Sequence, residues 1–202
     1  KDGTRTAAHW WLLPLALHSG ARSAELVQLK LADMAVIDGI LTANIVEDKA
    51  TGQRVKTASS VRSIPIHPRL LELGFSEYLE TLKEAGADRV LEGIGIGGQK
   101  PGQRAEDWFN RYRQAYLPNF KAEKKTLHST RGTFYSAAYN DAGMETRYLK
   151  QIVGHSEADE LGAGTHYNKG ASMEKLFSEI GRVRYDSKAL DDLKDQWKLL
   201  KL

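Results

Sequence analysis

Apolar residues recur with the period of an α-helix near the start of the chain, at Trp10, Leu13 and Leu17. This spacing predicts a helix over residues 4–18 that turns these three side chains toward the core. Gly20 follows, and glycine commonly ends a helix in the left-handed conformation. The first element is therefore predicted to be a helix that stops immediately before a turn.

A second, shorter helix is predicted after that turn, with Leu26 and Leu29 on its inner face. Arg22 stands at its beginning, where the positive end of the helix dipole disfavours a cation. A bound anion would remove this conflict, so Arg22 is a candidate anion-binding residue. Glu25 lies three residues further along the same helical face, where its carboxylate can hold the guanidinium.

Alternating apolar and polar positions predict a small antiparallel sheet of three strands. Residues 35–46 are predicted to form two strands joined at Asp38-Gly39, a dipeptide typical of tight hairpins. Residues 61–66 alternate with period two, and their proline favours an edge strand. The polar segment between these strands is predicted to be an exposed loop or hairpin tip. It contains three candidate DNA or phosphate contacts, Lys49, Arg54 and Lys56.

Helical periodicity dominates the remainder of the chain, with a break expected at Gly74. The predicted helical segments are 68–85, 104–116, 129–142, 145–153, 173–180 and 190–202. The whole pattern predicts an α+β fold, a mainly helical domain with a small three-stranded antiparallel sheet. We expect one domain over residues 1–181 and a C-terminal tail over 182–202. The helix of this tail is expected to pack either on its own domain or on a neighbouring chain.

Composition is that of an ordinary globular protein. The 202 residues are 41% apolar and 27% charged, and the absence of cysteine excludes disulfides and thiolate metal sites. No apolar run approaches the roughly 18–20 residues that a membrane-spanning helix needs. A chain without cysteine suits a reducing compartment, so we expect a cytoplasmic protein with no membrane partner.

Positive charge is concentrated in one window of the sequence. Residues 100–131 carry eight Lys or Arg against three acids, a net charge of +5, whereas the whole chain is only +3. A basic strip on a nearly neutral body indicates a polyanionic partner, although a solvated charged face has the same pattern. The candidate DNA contacts in this window are Arg104, Arg111, Arg113, Lys124 and Lys125.

Four candidate catalytic residues lie in the C-terminal half. His128 and Arg131 are three positions apart, His155 follows a glycine, and Tyr167 stands twelve residues later. Two helices joined by a short connection are expected to bring the first three close together. Each residue alone is common, but with the upstream arginine and lysine candidates they form a set suited to phosphate chemistry.

The order of these motifs resembles the catalytic domain of tyrosine recombinases, the phage-type integrases. The resemblance covers about residues 4–177, and six positions recur in the family's order. The matching motifs are S-G-x-R-x-x-E-L at 19–26, K-T at 56–57 before a strand ending in I-P-I, H-x-x-R at 128–131, G-H-S at 154–156, and then Tyr167.

The resemblance implies that four residues contact the scissile phosphate and that a fifth supports one of them. Arg22 and Arg131 would clamp its non-bridging oxygens, and Glu25 would support Arg22. His128 and His155 would contact the same group and assist proton transfer. Guanidinium groups suit this task because they bind oxygens in pairs, stay charged, and stabilise the additional negative charge of the transition state.

The resemblance makes Tyr167 the nucleophile and Lys56 the general acid that protonates the leaving 5′-oxygen. A phenol with a pKa of about 10 needs a base or strong positive charge nearby to attack at neutral pH. A phosphotyrosine intermediate would conserve the energy of the phosphodiester bond and permit rejoining. The sequence offers no cluster of Asp and Glu suited to two-metal chemistry, and we expect no metal or other cofactor. Tyr148 and Tyr185 are poorer candidates for the nucleophile, because one precedes His155 and the other lies beyond the next helix.

The sequence departs from the family pattern at three points. Thr130 and Gly132 flank the second arginine, where relatives often carry an apolar residue and a histidine. The interval from His155 to Tyr167 is slightly longer than usual, which loosens the assignment of the nucleophile. The N-terminal core-binding and arm-binding domains of full-length relatives are not found here. We therefore expect a catalytic fragment with weak affinity for DNA.

The resemblance implies a phage or mobile-element integrase that acts in a bacterial cytoplasm. It would work as a homotetramer on double-stranded attachment-site DNA, with no small-molecule substrate. Two other functions fit the same residues. A non-catalytic DNA-binding module of the same fold would bind DNA without a covalent adduct. A type IB topoisomerase-like enzyme would relax supercoiled DNA as a monomer without site preference.

Overall fold

The computed structural model describes residues 6–96, 98–116, 119, 124–155, 170–185, 191–192 and 194–202. The α-helices in these ranges are α1 (Ala7–Ser19), α2 (Ser23–Gln28), α3 (Pro68–Glu72), α4 (Phe75–Glu84), α5 (Gln103–Tyr116), α6 (Ser129–Ser136), α7 (Thr146–Val153) and α8 (Met173–Ile180). The strands β1 (Met34–Ile37), β2 (Ile40–Ile45) and β3 (Arg62–Pro65) form one antiparallel sheet in that order. This confirms the predicted α+β class. None of the described helices has both the length and the apolar character needed to cross a bilayer.

Helix α1 lies in the centre of the core. Trp11 is fully buried, and its ring centroid is 5.0 Å from that of Phe75. The predicted inner face at Trp10, Leu13 and Leu17 is wrong, because these side chains are only partly buried. Helices α2, α3 and α6 all contact α1, so most of its circumference is covered. On a helix enclosed in this way, apolar spacing does not identify one inner face.

A close approach between the α1–α2 turn and helix α6 positions the candidate site. Gly20 has a φ of +62°, and a Cβ at this position would collide with the ring of Phe134. Only glycine permits both the left-handed backbone and the short separation. Leu26 and Leu29 of the next segment are buried, as their spacing predicts. The turn that precedes α2 therefore lies directly against α6.

The sheet follows the predicted hairpin pattern. Asp38 and Gly39 have φ values of +52° and +78°, and the residues that flank them, Ile37 and Ile40, pair across the turn. Strand β3 lies at an edge of the sheet, where Pro65 pairs with Thr42 without needing an amide proton of its own. β3 also contacts α7 and α8, so the sheet joins the first and last thirds of the described chain.

Glycines end the later helices where the sequence predicts breaks. Gly74 separates α3 from α4 with a φ of +92°. Helix α6 continues into a π-helical turn (Ala137–Asp141), and Gly143 follows with a φ of +62°. Gly154 ends α7 with a φ of +72°. The predicted helical hairpin is therefore present, with Arg131 on its first helix and His155 just after its second.

The C-terminal segment lies on the core of its own chain. Trp197 is 3% exposed, its ring is 6.0 Å from that of Trp11, and its Nε1 donates to the carbonyl of Leu73 at 3.3 Å. The predicted long helix over 190–202 is wrong. Residues 191–192 are helical, but Asp195 adopts a φ of +65° that a helix cannot continue through, and a short 3₁₀ turn (Gln196–Leu199) follows it. Packing of this tail on a neighbouring chain stays a prediction.

Candidate active site

Arg22 occupies the N-cap position of α2 and is held by a carboxylate three residues later. Oε2 of Glu25 accepts a hydrogen bond from the Arg22 backbone amide at 2.9 Å, and Oε1 accepts one from Nη1 at 2.6 Å. The same Nη1 donates to Oγ of Ser60 at 3.1 Å. The Arg22 side chain is 19% exposed, so part of a firmly held guanidinium still faces solvent.

Glu25 has a second partner that the sequence analysis missed. Nη2 of Arg62 donates to Oε2 of Glu25 at 2.9 Å, and both side chains are at most 5% exposed. Burial alone would raise the pKa of Glu25, but hydrogen bonds and charge from Arg62 and Arg22 outweigh it and hold that pKa below its usual value. One signal pointed to Arg62. It occupies the same set of alternate positions as the buried Ile64 and Ile66 in the predicted strand over 61–66, where a charged side chain requires a buried partner.

Arg131 on α6 is a buried arginine with an unused donor. Its side chain carries Nη1, which donates to the carbonyl of Gly20 at 2.6 Å, and Nη2, which is buried without a hydrogen-bond partner among the described residues. The pKa of Arg131 is lowered to about 10, first by burial and then by the positive charge of Arg22. The charge of Glu25 opposes this shift, and that of Arg62 adds a weaker lowering. The group is still charged at neutral pH. An unpaired buried donor is unfavourable, so this position favours an anion.

His155 completes the cluster from the end of α7. Its backbone amide donates to the carbonyl of Lys150 at 3.0 Å, and its exposed ring lies 6.3 Å from the ring of Tyr135. The pKa of His155 is lowered, first by burial and then by positive charges, those of Arg131, Arg22, Arg62 and Lys150. The imidazole is therefore held toward its neutral form, which can accept a proton. Tyr135 is a neighbouring phenol that the sequence analysis did not single out.

His128 and Lys56 are less closely tied to this cluster, and their roles stay predictions. His128 is exposed at the N-cap of α6, and its ring makes no hydrogen bond to a described residue. Lys56 is exposed in the loop before β3. The adjacent Thr57 shares a hydrogen bond of 3.1 Å with Oγ of Ser60, the hydroxyl that also binds Arg22. The loop that carries Lys56 is thereby anchored beside the cluster.

Tyr167 lies outside the described residues, so its assignment as nucleophile also stays a prediction. Both poorer candidates are engaged elsewhere. Tyr148 is 8% exposed, and its hydroxyl accepts a hydrogen bond from Nη2 of Arg147 at 2.7 Å. The hydroxyl of Tyr185 donates to the carbonyl of Leu17 at 2.6 Å, and burial raises its pKa. The hydroxyl of Tyr148 is thus paired with Arg147, and burial favours the protonated form of Tyr185.

The predicted DNA contacts are mostly exposed side chains. Those on the surface are Lys49, Arg54, Arg104, Arg111, Lys124 and Lys125. Arg113 is half-buried, and its Nη1 donates to the carbonyl of Lys125, which links α5 to the segment before α6. The contacts of the described residues do not join these cations to Arg22 or Arg131, so their roles stay predictions. Within the same ranges, no group of three or more His, Asp or Glu is placed to hold a metal ion.

No protein-family model matches the sequence, and a comparison with curated proteins finds no match. Solved structures do match. The integrase from mycobacterium phage Brujita is 14% identical with a TM-score of 0.50, over 92% of this chain and 56% of that chain. The Tn1549 transposon integrase, in complex with transposon right end DNA, is 17% identical with a TM-score of 0.50, over 93% of this chain and 58% of that chain. This chain thus spans little more than half the length of the two solved chains.

The likeness to these integrases is one of backbone path, because so few side chains are shared. It extends over more than nine tenths of this chain in both comparisons, so it concerns the whole arrangement of helices and sheet. The small antiparallel sheet among helices is part of that arrangement. The chain therefore has the fold of a tyrosine recombinase catalytic domain, the family that its motifs resemble.

Proposed function

We propose that this chain is the catalytic domain of a tyrosine-type site-specific DNA recombinase, an integrase of a phage or another mobile element. The observation that carries the proposal is the cluster of Arg22, Arg131 and His155, in which one buried guanidinium nitrogen of Arg131 has no partner among the described residues. The motif order supports the reaction class. The Tn1549 integrase, which shares this fold, is bound to transposon end DNA, and this supports duplex DNA as the substrate.

In the proposed reaction, the cluster binds one phosphodiester of the DNA backbone. Nη2 of Arg131, which is buried in the free protein, and the exposed part of Arg22 donate to its non-bridging oxygens. Both groups are already fixed, Arg131 by the carbonyl of Gly20 and Arg22 by Glu25. Donors that are positioned before the substrate arrives stabilise developing charge without reorganisation.

The proposed chemistry is a pair of transesterifications. The hydroxyl of Tyr167 attacks the phosphorus and forms a phosphotyrosine bond, while the bond from phosphorus to the 5′-oxygen breaks. Neutral His155 takes the phenolic proton, and Lys56 gives a proton to the departing 5′-oxygen; His128 contacts the phosphate. A 5′-hydroxyl of a second strand then attacks the phosphotyrosine and restores the phosphodiester, so no external energy source is needed.

We propose that residues 1–181 form the catalytic domain of a longer recombinase. Four copies would act on two duplexes in the bacterial cytoplasm, with the exposed residues of the tail over 182–202 in contact between copies. The surrounding backbone phosphates would be bound by the half-buried Arg113 and by the exposed cations Lys49, Arg54, Arg104, Arg111, Lys124 and Lys125. Because such contacts are electrostatic, affinity for duplex DNA should fall steeply with salt.

The proposal can be tested without knowledge of the target sequence. A pool of nicked duplexes with randomised sequence would be incubated with the protein, and adducts that survive denaturing electrophoresis would be collected. A nick lets the cleaved fragment diffuse away and traps the covalent intermediate. We expect adducts with the natural protein and none with Tyr167→Phe. Adducts with both proteins would move the nucleophile to another residue.

Two outcomes would favour the other functions. DNA binding at low salt without any adduct would indicate a non-catalytic DNA-binding module. Relaxation of supercoiled plasmid by a monomer, without enrichment of any sequence among the trapped duplexes, would indicate a topoisomerase-like activity. Enrichment of one sequence would support site-specific recombination.

A further inference from the structure

We propose that Arg62 is the positioning residue that holds the two halves of the candidate active site together. The inference rests on the proposed function, which requires Arg22 and His155 to act on the same phosphate. Arg62 belongs to β3 and makes no hydrogen bond to Arg22 or His155 itself. Arg62 acts instead through the groups that hold Arg22 and His155 in place.

All three nitrogens of the Arg62 guanidinium are used. Nη2 donates to Oε2 of Glu25 at 2.9 Å, Nη1 to the carbonyl of Ser60 at 2.7 Å, and Nε to the carbonyl of Ile152 at 2.6 Å. The side chain is 5% exposed. One planar group therefore joins α2, the loop before β3 and the last turn of α7.

Two of these contacts fix Arg22. Glu25 receives Arg62 on Oε2 and Nη1 of Arg22 on Oε1, so the carboxylate is clamped from both sides. Ser60 receives Arg62 on its carbonyl and Nη1 of Arg22 on its hydroxyl. Movement of the Arg62 guanidinium would therefore loosen both groups that bind Arg22.

The third contact fixes the position of His155. The carbonyl of Ile152 would otherwise be one of the unpaired carbonyls at the end of a helix, and Arg62 satisfies it. Gly154 lies against the same guanidinium, because a Cβ there would approach Nη1 of Arg62 to 2.9 Å. His155 is the next residue. Arg62 therefore fixes the path of the chain at the end of α7 and, with it, the position of the His155 side chain.

A lysine cannot replace this arrangement. Its ammonium carries positive charge and can pair with Glu25, but it lacks the planar fork that reaches three acceptors in fixed directions. Arg62→Lys thus keeps the positive charge at this position but removes the fixed geometry of the guanidinium. A displacement of about 1 Å between catalytic groups can reduce a rate about 100-fold. We expect that loss in the rate of adduct formation, measured under single-turnover conditions, with affinity for DNA within about threefold of the natural value.

Arg182→Lys is a control for the same kind of contacts at a more exposed position, since the Arg182 side chain is 52% exposed. Arg182 also joins a carboxylate, that of Glu179, to a backbone carbonyl of another element, that of Ala142, but neither belongs to the site. We expect this variant to cleave at the natural rate. Thermal unfolding of both variants shows whether any loss of cleavage rate results from a loss of stability. Cleavage by folded Arg62→Lys within threefold of the natural rate would overturn the proposal, as would an equal loss in Arg182→Lys.

A second variant displaces Arg62 without changing any charge. Gly154→Ala introduces a methyl group against Nη1, whereas Gly39→Ala has a similar positive φ and no atom within 4 Å of the new Cβ. We expect slower adduct formation in the first variant only. Equal rates in the two glycine variants would contradict the proposal.

NMR spectra of the His155 ring provide a readout that does not depend on DNA cleavage. We expect the ring resonances, assigned by their loss in His155→Gln, to shift in Arg62→Lys and to stay in place in Arg182→Lys. A natural protein that forms no adduct would defeat the proposed function, and these spectra would still decide the role of Arg62. Unchanged His155 resonances in Arg62→Lys would overturn the positioning role.

Discussion

At the scale of single residues, the site depends on one carboxylate shared by two arginines. Glu25 is 5% exposed and would be unfavourable as a lone buried charge. Arg62 and Arg22 compensate it with hydrogen bonds to both of its oxygens. Arg22 is therefore held on one side while it remains partly exposed on the other, as the proposed contact with a phosphate requires.

Arg22→Lys tests this role. We expect adduct formation to slow by about 100-fold or more, because a lysine can pair with Glu25 but cannot present a second nitrogen to the phosphate. Arg69→Lys is a suitable control, since Arg69 is 21% exposed against 19% for Arg22 and also binds acidic side chains. If Arg22→Lys and the control both lose thermal stability, and their losses of activity follow those losses of stability, Arg22 has a structural role instead.

The sequence predicted the Arg22–Glu25 pair because its geometry is local. Residues three apart on a helix share a face whatever the remainder of the fold does. Arg62 could not be found in the same way. Its partners Glu25 and Ile152 are 37 and 90 positions away along the chain, so the pairing depends on tertiary structure.

At the scale of elements, the site depends on how closely the α1–α2 turn approaches α6. The carbonyl of Gly20 accepts a hydrogen bond from Arg131, and the ring of Phe134, one turn further along α6, lies where a Cβ of residue 20 would be. The turn and the helix are therefore in contact through backbone and side chain together. A change at this contact would separate Arg22 from Arg131.

Gly20→Ala should destabilise the protein through both strain and collision. We expect a loss of about 3 kcal/mol, from a left-handed alanine and from overpacking against Phe134, which would lower the melting temperature by roughly 6–12 °C. Gly39→Ala has a φ of +78° and open space around the new methyl group, so it reports the strain alone. Equal losses in the two variants would show that Phe134 moves aside freely.

Turns were predicted more successfully than helix faces. The Asp38-Gly39 turn is set by the φ preferences of two residues, and the structure has it where expected. The inner face of α1 was predicted wrongly, because several elements surround that helix and the sequence alone does not reveal them. Apolar spacing identifies the buried face of a helix that has one solvent-exposed side, but it does so much less well for a helix enclosed on most sides.

At the scale of the whole molecule, a buried histidine pair ties stability to pH. His67 is 3% exposed, its Nε2 pairs with the carbonyl of Val183 at 2.9 Å, and its Nδ1 accepts from the amide of Arg69 at 2.9 Å. His18 lies beside it, with ring centroids 4.8 Å apart. A second proton on His67 would face the Arg69 amide, so the folded protein keeps this ring neutral.

Stability should therefore fall as pH is lowered from 6.5 toward 4. Burial and then the neighbouring His18 lower the pKa of His67 from 6.5 to about 4, so in this range the unfolded chain binds a proton that the folded chain does not. The contribution is fully present above pH 6.5, and its loss between pH 7 and pH 4.5 is on the order of 2–3 kcal/mol. The lowered pKa of Glu25 acts in the same direction but only below about its usual value of 4.5.

Melting temperatures at pH 7 and pH 4.5 would measure this effect. His67→Gln keeps a donor for the carbonyl of Val183 but cannot take up a proton. We expect a smaller fall in its melting temperature between the two pH values than in the natural protein. An identical fall in both proteins would assign the acid sensitivity to other groups.

The central claim is that the guanidiniums of Arg22 and Arg131 hold a DNA phosphate for attack by Tyr167. Mass spectrometry of the peptide that remains attached to trapped DNA tests it most directly. We predict a single nucleotide-bearing peptide with the 3′-phosphate on Tyr167. Attachment to Tyr135, which lies beside His155, or to any other residue would contradict the account.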